Sequence, residues 1–160
     1  MPHAIRISRT GGPEVLEWAP VEVGEPGPGE VRLRHTAVGL NFIDVYQRTG
    51  LYPVPLPAIL GQEAAGVVDA TGPGVTALAP GDRVAYASQP IGAYAETRLM
   101  PAARVVKLPP EIADRTAAAM MLKGMTVQYL IRRIHRVAAG EIILVHAAAG
   151  GVGTILCQWA

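Results

Sequence analysis

Cysteine is nearly absent from this 160-residue chain: Cys157 stands alone, so no disulfide can form within it. A chain without disulfide staples points to a reducing compartment, and a cytoplasmic location is the expectation. Cys157 falls in an apolar helical pattern and reads as a small buried hydrophobe. Residues 1–9 lack the apolar core of a secretory signal. No apolar run approaches the ~18 residues that a spanning helix needs, so no membrane partner is expected. Lysine is scarce too: Lys107 and Lys123 are the two lysines among 14 basic residues, and 13 acidic residues leave a net charge of +1. That balance creates no field for a polyanion and excludes nucleic acid as an expected partner. Arg32, Arg34 and the group Arg132, Arg133, Arg136 read as solvated faces. Repeats and low-complexity tracts are also missing.

What is present divides into two textures. Residues 1 to about 110 are rich in glycine and proline, with short alternating runs. Residues 31–34 alternate at period two, as a half-buried strand does, and residues 63–68 and 83–87 are further strand candidates. Gly72-Pro73-Gly74 and Pro80-Gly81-Asp82 supply turn signals between them. Many short strands with frequent turns predict a compact barrel or sandwich. After Pro109-Pro110 the pattern becomes helical. Asp114 is a candidate cap, Gly124 a candidate break or bend, and Val127, Leu130, Ile131 and Ile134 form an amphipathic stripe.

The most informative stretch is Ile142-Ile143-Leu144-Val145, apolar on both faces, leading through His146 into Ala147-x-x-Gly150-x-x-Gly153. Strand, small-residue turn and helix start form the first unit of a dinucleotide-binding fold. Small residues there let backbone N–H groups approach a pyrophosphate, and a helix opening near Gly151 offers unpaired donors and the positive end of its dipole. The residue that would choose between NAD and NADP lies roughly 20 positions further on in such folds.

Several segments carry a wider likeness. They are Gly11-Gly12-Pro13-Glu14-Val15-Leu16, Gly39-Leu40-Asn41-Phe42-Ile43-Asp44, Arg48-Thr49-Gly50-Leu51-Tyr52-Pro53 and Gly61-Gln62-Glu63-Ala64-Ala65-Gly66. Gly81-Asp82-Arg83-Val84, Lys123-Gly124-Met125-Thr126 and residues 146–153 complete the set. Together they resemble the medium-chain dehydrogenase/reductase superfamily, most closely its quinone oxidoreductase branch, the zeta-crystallin-like NADPH:quinone reductases. The resemblance implies a mainly β fold with some α. A GroES-like β-barrel catalytic domain would occupy residues 1–122. Residues 123–160 would be a junction helix and the first β-α unit of an incomplete Rossmann domain. The chain would then be the N-terminal half of such an enzyme, with weak or no catalysis on its own.

Zinc alcohol dehydrogenases of this superfamily carry a cysteine where this chain has Asn41, and a histidine where it has Gln62. Amides are poor zinc ligands, so no metal is expected. The implied reaction is NADPH + H+ + quinone giving NADP+ + hydroquinone, by hydride transfer or by two single electrons. The quinone is a small-molecule partner, and the nicotinamide carries the chemistry. An enoyl or alkenal reductase is the enzymatic alternative; a non-catalytic binding or structural fragment is the other.

Candidate catalytic residues are Asn41, Tyr46 and Tyr52. Asn41 has donors and an acceptor for the cofactor or the substrate oxygen, with backbone capping as its alternative role. The two phenols could donate to a quinone oxygen, or simply form a cleft rim. By resemblance, Asn41, Phe42, Ile43, Asp44 and Val45 line the nicotinamide side. Lys123, Thr126 and Tyr129 approach the cofactor, and Gly150, Gly151, Val152 and Gly153 meet its phosphates. Lys123 faces either phosphate or solvent. Glu63 either borders the pocket or braces the barrel. His3, His35 and His135 are expected at the surface. Residues 142–145, with unpaired edges, should be disordered, refolded against the barrel, or paired with another chain, which makes a homo-oligomer possible.

Overall fold

The computed structural model describes residues 1–160. Two antiparallel sheets build the barrel. β1 (His3–Ile7) lies between β2 (Glu17–Pro20) and β4 (Ala58–Ile59). The larger sheet runs β7-β3-β5-β6-β8, with β3 Glu30–Val38, β5 Glu63–Thr71, β6 Arg83–Ala87, β7 Thr97–Pro101 and β8 Val106–Lys107. The bridge between Ala4 and Ala95 ties the sheets together. The strands expected from alternation are all present. Their turns fall on Gly74 and Gly81, both with positive φ (81° and 92°), where a side chain would be strained.

Alternation sorts the side chains. Val31, Leu33, Ala64, Val68, Val84, Tyr86 and Met100 fill the space enclosed by the barrel. On the outer face of β5 and β6, Ala65 and Ala85 meet Ala117 and Ala118 of α2 (Asp114–Tyr129). Four alanines at this contact let the helix lie close against the sheet. α1 (Phe42–Thr49) precedes β4 and ends on Gly50, in the left-handed conformation at φ 86°. α3 (Gly151–Trp159) closes the chain, its helix beginning where the glycine turn predicts.

Several expectations need correction. Gly124 does not break its helix: α2 runs through it, with Gly124 buried. Asp114 is the first helical residue rather than the cap. Its carboxylate accepts from Arg83 Nη2 at 2.6 Å and Thr36 Oγ1 at 2.6 Å, pinning α2 to the sheet. The stripe beyond Val127 keeps Ile131 buried, but the backbone widens into a π-helical turn over Leu130–Ile134 and Ile134 is exposed. Residues 142–145 join no sheet, because no segment of this chain lies alongside to accept their ladder. They have not refolded against the barrel either: Ile142 is 98% and Leu144 83% exposed. Cys157 is exposed, not buried. No helix is long and apolar enough to cross a membrane.

His35 is the clearest departure. It follows Val31 and Leu33 on the inward face of β3, where it is half-buried and hydrogen-bonded rather than free at the surface. Its Nδ1 bonds the Ala95 carbonyl at 2.6 Å and its Nε2 pairs with the Tyr86 hydroxyl at 3.0 Å. Arg98 lies over the Tyr86 ring, 5.5 Å from its centre. Burial, with Arg98 nearby, pulls the imidazole from 6.5 down to about 4. A group held neutral in the fold but protonated when unfolded gives the unfolded chain more protons between these values. Stability therefore rises with pH across the window from about 4 to 6.5. Chemical denaturation across that range should show His35→Asn with a shallower pH slope than the wild type. Parallel slopes for the two proteins would contradict this origin.

Candidate active-site cleft

The cleft is built around Glu63, the first residue of β5, whose side chain is fully buried. Burying a carboxylate is costly unless charge and hydrogen bonds replace water. Here Oε1 accepts from Lys123 Nζ at 2.7 Å and from Asn41 Nδ2 at 2.8 Å, while Oε2 accepts from the Leu122 backbone N–H at 2.7 Å. Lys123 Nζ also donates to Asn41 Oδ1 at 2.9 Å. The Asn41 amide thus bonds both Glu63 and Lys123. Asn41 is also the N-cap of α1 and forms a capping box with Asp44, whose Oδ2 accepts the Asn41 backbone N–H at 2.9 Å.

Buried Asp44 and half-buried Tyr94 form a second pair behind this one. The Tyr94 hydroxyl donates to Asp44 Oδ2 at 2.7 Å. Burial pushes the Asp44 carboxyl up, against the opposing pull of the Tyr94 and Asn41 bonds. Burial, then the bond to Asp44, raises the Tyr94 phenol as well. Gln62 Nε2, Gln47 Oε1 and the second Asp44 oxygen are buried without partners, so a polar layer underlies α1.

On the open side, Leu40, Asn41, Phe42, Val45, Lys123, Gly151 and Val152 enclose a cleft of about 420 Å³. Asn41, Phe42, Val45, Lys123, Gly151 and Val152 are all candidates by sequence, and three distant segments bring them together. Gly150 and Gly153 border a neighbouring apolar groove with residues 142–147. Ile43 is half-buried and Asp44 points inward. The Thr126 hydroxyl donates to the Leu122 carbonyl at 2.7 Å, within its own helix, and Tyr129 is exposed. Tyr46 and Tyr52 pack edge to face, 5.5 Å between ring centres, and Phe42 lies 6.2 Å from Tyr46. These rings form an exposed row that meets the cleft at Phe42. Leu40, on the cleft wall, and Tyr94 were not among the site residues expected from sequence; only the fold carries Tyr94 across to Asp44.

The glycine turn has the geometry of an anion cradle. The Gly150 N–H reaches the Ala147 carbonyl at 2.8 Å and the Thr154 N–H reaches the Gly150 carbonyl at 2.8 Å. The N–H groups of Gly151, Val152 and Gly153 between them find no carbonyl in the chain. A Cβ on Gly153 would collide with the Ala147 oxygen and with Ala148 Cα at 2.6 Å, so the helix start and the turn touch only through glycine.

A family model, the alcohol dehydrogenase GroES-like domain, matches residues 27–110. The chain belongs to that family. It is 54% identical over 161 residues to a quinone oxidoreductase of Pseudomonas aeruginosa, covering 100% of this chain and 50% of the relative. A 2-haloacrylate reductase of Burkholderia sp. is 48% identical over 167 residues, covering 100% and 50%. Among solved structures, a Pseudomonas syringae quinone oxidoreductase superposes with a TM-score of 0.96 at 56% identity, covering 99% of this chain and 49% of that one. An Escherichia coli quinone oxidoreductase complexed with NADPH gives 0.95 at 46% identity, covering 98% and 48%. The chain spans about half the length of these relatives, in keeping with the expected N-terminal half. The likeness to quinone oxidoreductases expected from the motifs is borne out.

Gly39 is what lets Glu63 sit under the loop. A Cβ there would run into the Ala118 carbonyl oxygen and the Glu63 side chain. Gly39→Ala should cost about 1–3 kcal/mol through overpacking, read as a lower Tm. An unchanged Tm would mean that the loop stands clear of Glu63.

Proposed function

We propose that the full-length protein reduces quinones by hydride transfer from NADPH, and that residues 123–160 open its nucleotide-binding half while residues 1–122 form the catalytic barrel. The observation that carries this reading is the convergence of Asn41, Phe42, Val45 and Lys123 with Gly151 and Val152 on one cleft of about 420 Å³. The three free N–H groups at the α3 N-terminus suit the cofactor's pyrophosphate. NADPH supplies the hydride when bound. Phe42 and Val45 supply apolar walls, and the remaining Asn41 N–H is a donor for the nicotinamide amide or a substrate oxygen. Tyr46 and Tyr52 stand at the rim, where a phenol can donate to the reduced oxygen. Ile43 and Asp44 act through the α1 backbone, and Thr126 and Tyr129, on the helix that carries Lys123, would meet the cofactor from that side.

The donor set supports chemistry without zinc. No three His, Cys, Asp or Glu side chains converge anywhere in the chain. At Asn41 the neighbouring cation is already the Lys123 ammonium, which repels a divalent ion. We assign a cytoplasmic location on the single cysteine, and pairing of residues 142–145 with another chain or segment on their exposed apolar side chains. The 160 residues alone should turn over quinone weakly or not at all.

A second reading, hydride delivery to an activated carbon–carbon double bond, is favoured by the similarity to a 2-haloacrylate reductase. NADPH oxidation by the full-length protein, assayed with quinones and with 2-haloacrylates or 2-alkenals, separates the two. Faster turnover of quinones is expected; turnover of alkenes alone would replace the first reading with the second. Gly153→Val should weaken NADPH binding at least about tenfold by displacing the turn. Unchanged affinity would remove the glycine turn from the site.

A further inference from the structure

The two lysines have different settings. Lys107 makes a surface pair with Asp82 at 2.8 Å. Lys123 is committed on three sides. Its ammonium lies 2.7 Å from Glu63 Oε1 and 2.9 Å from Asn41 Oδ1. Its stem packs on the glycine turn so closely that a Cβ on Gly151 would stand 2.8 Å from Lys123 Cδ and 3.0 Å from Cε. One side chain therefore touches the loop before α1, the start of β5 and the turn before α3. These segments are far apart in sequence, and two of them form opposite walls of the cleft.

The anchor for this side chain is fixed. Glu63 is fully buried, and its other oxygen is held by the Leu122 N–H of the helix that carries Lys123. Carboxylate and ammonium are thus positioned by one backbone. With Nδ2 on Glu63 and Oδ1 on Lys123, the Asn41 carboxamide has a single orientation, since a flipped amide would set its NH2 against the ammonium.

We propose that Lys123 is a positioning residue: anchored on Glu63, it fixes the Asn41 amide in the cleft and sets how far the glycine turn stands from the barrel. The proposal rests on the cleft being the NADPH site. Lys123 needs no direct contact with phosphate for this role. Its head and stem do separate jobs, one on Asn41 and one on Gly151, and substitutions can part them. Lys123→Met keeps most of the stem and removes the charge. Lys123→Ala removes both.

Amide hydrogen exchange on the full-length protein reads the two jobs without cofactor. Lys123→Met should speed exchange over residues 39–45 and leave 147–153 near wild type; Lys123→Ala should speed both, with β3 and β6 unchanged in each. In steady-state assays with NADPH and a quinone, Lys123→Met should lower kcat at least about tenfold while the NADPH dissociation constant moves less than about threefold. Lys123→Ala should also weaken NADPH binding. The double variant Glu63→Gln/Lys123→Met removes the stranded carboxylate and keeps the fold, and it should retain the kcat loss. Wild-type kcat in the double variant would overturn the proposal and leave Lys123 a purely structural partner of Glu63. Wild-type exchange over 39–45 in Lys123→Met would overturn it as well. Failure of the wild-type protein to bind NADPH would instead defeat the cofactor reading, and the exchange pattern would still decide whether Lys123 braces the two walls.

Discussion

A carboxylate cut off from water must find its counter-charge and its donors inside the protein, and Glu63 imposes that demand on everything near it. Three donors meet it, from the loop before α1, from the α2 backbone and from Lys123. None can move without stranding charge in the interior. The ionic cluster therefore fixes the mutual placement of barrel, helix and loop, which hydrophobic packing alone would leave free to slide.

Packing prepares the ground for it. The alanine contact among Ala65, Ala85, Ala117 and Ala118 brings α2 close enough for the Leu122 N–H to reach a carboxylate on β5. The bond from Arg83 to Asp114 holds the other end of the same helix. Gly39 removes the one Cβ that would hold the loop away. The lysine stem then carries the order of the barrel outward to Gly151, where the free N–H groups begin. Stability and the placement of the cleft thus rest on the same side chains.

Much of this was legible in the sequence where the signal is local. Strands β3, β5 and β6 follow from alternation bounded by glycine turns, and α3 opens at Gly151 because the small-residue spacing requires it. Six residues of the cleft were identifiable from motifs at Asn41, Lys123 and Gly151. What could not be read is non-local. Lys123 and Glu63 stand 60 positions apart, and nothing in either segment says that one faces the other. Tyr94 reaches Asp44 only through the path of the barrel. His35 could have been placed inside by extending the alternation of Val31 and Leu33 by one step, but its polar side chain argued for the surface. Gly124 stayed helical because the good helix formers around it and the contact of α2 with the sheet outweigh its ~1 kcal/mol penalty. Residues 142–145 have the composition of a strand, but a strand exists only with a neighbour, and that information lies outside the segment.

The most direct measurement is a double-mutant cycle on the unfolding free energy, using Glu63→Gln, Lys123→Met and the pair. If the buried carboxylate and its ammonium organise the cleft, the two changes should be strongly non-additive, with a coupling of at least about 1.5 kcal/mol. Coupling below about 0.5 kcal/mol, the level of independent sites, would contradict the organising role of Glu63.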